Sequence, residues 1–133
     1  MSFTDSNEVK KYLGGIFEAA FADAEIGPKL RDTGIVLKTV YTDPESILVI
    51  DTTTGQVAMG DESSASTATM RMSADTGNAY WQGKVNLPLA MAKSKIKVEG
   101  NVASLLKLAP LGKKLYPSYV AALQADGRDD LLA

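Results

Sequence analysis

Two Ser-x-x-Lys tetrads, Ser94–Lys97 and Ser104–Lys107, are where this sequence comes nearest to a nucleophile with its own base. A lysine amine activates a serine only if both side chains reach the same side of the chain. The first tetrad falls in an alternating, strand-like stretch, where an offset of three puts the two on opposite faces. The second can share a helical face, but the Ser-Asp-Asn and Lys-Thr-Gly elements that complete such a site are absent. The acidic pairs Asp61-Glu62 and Asp129-Asp130 fall in a turn and a tail, where solvation accounts for them. The 133 residues include no histidine and no cysteine, which removes the imidazole base, the Ser-His-Asp triad, the thiol nucleophile, the disulfide and the zinc–thiolate site. Neither phosphate-cradling glycine loop nor a G-x-S-x-G elbow is present. No catalytic residue, metal-ligand set or cofactor is therefore expected, and the chain reads as non-catalytic.

Charge is the next chemical signal. Residues 42–82 hold six acids against Arg71, whereas residues 83–114 hold seven lysines against Glu99. Lys84, Lys93, Lys95 and Lys97 can meet a carboxylate or phosphate headgroup, or touch an anionic membrane transiently. Lysine stems lying over apolar neighbours on a solvated face are the plainer reading of the same residues. Arginine is missing from this stretch and the net charge is −2, so nucleic acid is not an expected partner.

The elements that must position these residues follow from periodicity. Apolar residues from Val9 to Ala24 recur at helical spacing, which predicts a helix over 5–26 capped by Asp5 with Glu8 and stopped by Gly27-Pro28. Gly14-Gly15 weaken that helix and predict close packing there. Runs at 35–41, 47–50, 56–59 and 67–73, separated by turn-forming residues, predict four strands in an antiparallel meander. Helices are expected from Asp75 as cap to about Gln82, over Leu87–Ala92 behind Asn86, from Asn101 to a stop at Pro110, and onward from Pro117. A fifth strand is expected over 95–99, and the acidic tail 126–133 is expected to be flexible. This order makes one α+β domain over 1–133 with a single sheet. With no basic-then-apolar leader and no long apolar run, the expected location is cytoplasmic.

The second half carries more apolar and aromatic residues than one helical layer over a sheet requires. A generous core accounts for this, and so do two apolar layers enclosing a cavity lined by methionine and leucine, with Met70 and Met72 on one strand face.

The run Gly83-Lys-Val-Asn-Leu-Pro-Leu-Ala-Met-Ala, followed by Ser94-Lys-Ile-Lys-Val-Glu-Gly-Asn and the leucine-rich stretch to Leu108, resembles the signature of the sterol carrier protein (nonspecific lipid-transfer) family. The resemblance extends over about 30–125. It departs where Met91 replaces a phenylalanine, Ser94 a glycine, and where the proline stands at 88. The resemblance implies a five-stranded, mainly antiparallel sheet covered by helices, with an apolar tunnel between them for fatty acids, acyl-CoA, sterols or phospholipids. It places Tyr80, Trp81, Leu87, Met91, Leu105 and Leu108 in segments that line or cover the tunnel. Tyr116, Val120 and Leu123 fall in the terminal helix that closes it. An accessory interaction or dimerisation module of the same fold, its cavity filled by its own side chains, is the first alternative; a cofactor-free enzyme using a carboxylate and a tyrosine, with only Tyr80, Tyr116 and Tyr119 near apolar surface to support it, is the second.

Overall fold

The structure, a computed structural model, describes residues 3–132. Helix α1 (Ser6–Val9) passes through a π-helical turn (Lys10–Gly14) into α2 (Gly15–Ala22). Asp5 caps α1 by accepting from the Glu8 amide at 3.0 Å, while the Glu8 carboxylate accepts from the Thr4 amide rather than from that of Asp5. Gly14 has the close neighbour its type predicts, because an added Cβ would stand 3.2 Å from Val57 Cγ1; Gly15 has none within 4 Å among the described residues.

The expected stop at Gly27-Pro28 is instead the start of α3 (Ile26–Thr33). The chain breaks earlier, at Asp23, whose carboxylate accepts from the amides of Glu25 and Ile26 at 2.8 and 2.9 Å. Proline is tolerated in a first helical turn, which needs no amide donor. Glycine is required beside it, since a Cβ on Gly27 would lie 2.5 Å from the Phe21 carbonyl oxygen.

Strands β1 (Val36–Thr42), β2 (Ser46–Asp51), β3 (Gln56–Met59), β4 (Ala68–Ser73) and β5 (Lys97–Gly100) form one sheet in the order β3-β2-β1-β4-β5. Pairing is antiparallel except between β1 and β4, which run parallel with Thr39 opposite Met70. The expected meander thus holds through β3 only. Residues 60–67 do not form a hairpin: they carry the chain from one edge to the far side of β1. This crossover rests on the sheet's outer face, where the Lys38 amine donates to the carbonyls of Glu62 and Ser64 at 3.0 Å each. Arg71 holds the same segment through the Glu62 carboxylate and also reaches Glu99. Lys38 and Val40 are therefore buried on a face that alternation alone would leave to water.

Helices α4 (Ala74–Trp81), α5 (Leu87–Ala92), α6 (Val102–Lys113) and α7 (Tyr116–Ala125) complete the layer over the inner face. Ser73, not Asp75, caps α4, accepting from the Thr76 amide at 3.1 Å. As the last residue of β4 it already has the extended backbone a cap needs, whereas Asp75 lies inside the first turn. Asn86 and Asn101 cap α5 and α6 as expected. Pro110 lies within α6 instead of ending it. The segment beyond Asp126, which its charge predicts to be flexible, forms a short turn at Asp129–Leu131 with Leu131 buried. Among the described residues no helix is long and apolar enough to cross a membrane.

Candidate functional site

A cavity with about 50 Å³ of free space lies between the inner face of the sheet and the helices. Its floor is the alternation of two strands: Leu37, Thr39 and Tyr41 from β1, with Met70 and Met72 from β4. Its roof is α6, through Leu105, Leu108, Ala109 and Gly112, followed by Leu115. Phe17, Leu30, Gly77, Tyr80, Trp81 and Leu87 form the sides. Among the described residues none that lines it is charged.

Aromatic rings make one wall. Trp81 meets Phe17, Tyr80 and Tyr116 edge to face, at centroid distances of 5.3, 5.4 and 6.1 Å. Burial raises the Tyr80 phenol above its ordinary range, and the neighbouring Tyr116 adds to the shift. Burial also pushes the Tyr41 phenol up to about 12, with the nearby Thr39 hydroxyl drawing it back slightly. Both are neutral at any ordinary pH. Among the described residues the buried Thr39 Oγ1 has no partner at hydrogen-bond geometry.

Of the residues the sequence marks for ligand binding, Met70, Met72, Tyr80, Trp81, Leu87, Leu105 and Leu108 come together here. Met91 packs against the core half-buried on α5, outside the cavity. Tyr116 stands behind the lining, in ring contact with Tyr80 and Trp81. Val120 is half-buried on α7 and Leu123 is fully buried in the core; neither lines the cavity. Helix α7 is fastened at depth, since the Tyr119 hydroxyl donates to Asn78 Oδ1 at 2.7 Å and Asn78 Nδ2 donates to the Leu131 carbonyl at 2.7 Å.

Sequence reasoning missed Phe17, Leu30, Leu37, Thr39, Tyr41, Gly77, Ala109, Gly112 and Leu115. The period-two set Leu37, Thr39 and Tyr41 was available as a signal. The glycines carry none, because what they contribute is absent bulk.

Lys84, Lys93 and Lys95 border one open groove with Asp75 and the exposed Leu89. Lys97 does not join them. It pairs with Arg71 across β4 and β5, on the face opposite Met70 and the cavity.

Residues 17–113 match the model of the SCP-2 sterol transfer family. The chain belongs to that family. The sterol carrier protein domain 2 of Helicoverpa armigera superposes on this SCP-2 family chain with a TM-score of 0.70 at 22% identity, over 88% of this chain and 95% of that one. Aedes aegypti AeSCP-2, solved in complex with the C16 fatty acid palmitate, gives a TM-score of 0.58 at 25% identity, over 84% and 96%. The Pseudomonas sp. sec-alkylsulfatase Pisa1 shares the fold over 64% of this SCP-2 chain but only 14% of its own, with a TM-score of 0.53 and 19% identity. No curated protein matches the chain in sequence.

Proposed function

We propose that this chain binds and carries a lipid-like ligand, such as a fatty acid, acyl-CoA, sterol or phospholipid, without covalent chemistry. The uncharged apolar cavity between sheet and helices is the observation that carries this reading. The palmitate complex of AeSCP-2 supports it from a protein of the same fold. Each buried methylene contributes about 0.8 kcal/mol, so a long acyl chain offsets its immobilisation without an elaborate polar site.

With free space of only about 50 Å³, the cavity must widen to admit such a chain. Helix α6 is the wall placed to move, because it supplies the roof while Asn78 latches α7 to α4. Lys84, Lys93 and Lys95 beside Leu89 supply a basic, partly apolar surface suited to an anionic bilayer.

The small cavity also favours a second reading, an interaction module whose core is already filled. Titration of delipidated protein with a fluorescent fatty acid, competed with oleate, acyl-CoA and a sterol, separates the two. Saturable one-to-one binding displaced by a natural lipid is expected, with Leu105→Trp abolishing it. Absence of binding by the folded protein of fatty acid, acyl-CoA and a neutral sterol alike, each titrated directly, refutes carriage and favours the module.

A further inference from the structure

Thr39 sits in the middle of the central strand, with Leu48 opposite it on β2 and Met70 on β4. It is 3% exposed and lines the cavity; among the described residues its hydroxyl has no partner at hydrogen-bond geometry, although the Tyr41 phenol stands near enough to interact with it. Buried hydroxyls are nearly always satisfied, so an orphan facing empty space calls for an occupant. The neighbouring lining side chains offer no ionic alternative: Tyr41 and Tyr80 are neutral and the rest are apolar or glycine. A carboxylate or phosphate drawn this deep would lose its water without meeting a cation, and the lysines lie elsewhere.

Resting on the carrier reading above, we propose that Thr39 receives the buried end of the ligand, and that this end bears an uncharged oxygen, a hydroxyl or a carbonyl. The cavity then selects neutral-headed lipids over ionised ones, and the molecule enters oxygen first, with its hydrocarbon towards α6. A threonine hydroxyl both donates and accepts, so it serves an alcohol and a carbonyl alike.

The test compares 1-dodecanol, dodecane and dodecanoate at pH 8, displacing a fluorescent probe from the wild type and from Thr39→Val and Thr39→Ser. Valine keeps the shape and removes the orphan, so the unliganded Thr39→Val protein should melt no lower than wild type. Its affinity for dodecanol should fall about fivefold to tenfold, the worth of one neutral hydrogen bond, while dodecane is unchanged. Thr39→Ser should recover most of the loss. An unchanged dodecanol affinity in Thr39→Val overturns the proposal and leaves the carrier reading intact. So does tighter wild-type binding of dodecanoate than of dodecanol. Uptake of none of the three by wild type removes both.

Discussion

Gly112→Ala joins the stability of the roof to the room beneath it. Gly112 lies near the end of α6, where alanine is favoured over glycine by up to about 1 kcal/mol. Its absent Cβ would stand 3.4 and 3.5 Å from the Trp81 ring, an ordinary contact that needs no rearrangement. Burying that methyl contributes about 0.8 kcal/mol more. The variant should therefore be more stable by about 1–2 kcal/mol, raising the urea midpoint by roughly 0.5–1 M for a domain of this size. The same methyl occupies a substantial part of a cavity of about 50 Å³. An intrusion of that size in an apolar pocket is worth about 1–3 kcal/mol, so lipid affinity should drop about tenfold or more. Urea melts followed by far-ultraviolet circular dichroism, together with probe displacement, measure both. A lower midpoint would show that the methyl does not fit beside Trp81, and an unaltered affinity that Gly112 does not face the cavity.

Gly77→Ala should go the other way despite its central place in α4, because its Cβ would fall 2.8 Å from Tyr41 Cε1 and 3.2 Å from Leu13 Cδ1. Overpacking of 1–3 kcal/mol outweighs the helical gain of about 1 kcal/mol, and a net fall in midpoint is expected. Lys38→Met takes the donor from the carbonyls of Glu62 and Ser64 and should speed amide exchange across 61–67, leaving the helices protected; unchanged exchange there counts against the crossover's anchoring. Asn78→Ala orphans the buried Tyr119 hydroxyl and should cost about 2–4 kcal/mol, against about 1 kcal/mol for Tyr119→Phe. The double variant should then cost less than the sum, and strict additivity in a double-mutant cycle would refute the latch.

The pH profile of stability should be flat from about 6 to 9, since the chain has no histidine. The backbone amides of Ile26 and Glu25 hold Asp23 below the usual carboxylate range, and the hydroxyl of Tyr12 and the amine of Lys11 do so for Asp126. Their contribution is present above the unfolded pKa and is lost as pH falls through the acid range. Burial raises Tyr41 and Tyr80, so their contribution is complete below about pH 10 and is lost as pH climbs towards their folded values. Urea midpoints across pH 3–11 test this, and a transition near pH 6.5 would contradict it.

What the sequence made legible is what neighbours along the chain decide. Helix α5 occupies the span Leu87–Ala92 read from Asn86 and Pro88, because cap, proline and apolar spacing all lie within two turns. The strand Gln56–Met59 is likewise bounded by its own turns. The path of residues 60–67 was not legible, since glycine, aspartate and serine suit a hairpin and a crossover equally well. Its course depends on the distant side chains of Lys38 and Arg71. That one path decides that β1 is central, and with it that Leu37, Thr39 and Tyr41 form the cavity floor beside Met70 and Met72. Met70, Met72, Leu105 and Leu108 were legible as apolar faces. Thr39 shares the period-two face of Leu37 and Tyr41, but its residue type gives no local sign of what lies above it.

Trp81 is the sole tryptophan of the chain, and it stands in the cavity wall at 6% exposure among three other rings. The protein thus carries its own optical reporter at the place where occupancy matters. An indole so shielded should emit towards the blue in the native state and shift red on unfolding. Tyr80 and Tyr116, in ring contact with it, are near enough to pass excitation to it. Any molecule entering beneath α6 changes that indole's surroundings directly, so intrinsic emission and near-ultraviolet dichroism can follow filling of the cavity without a label.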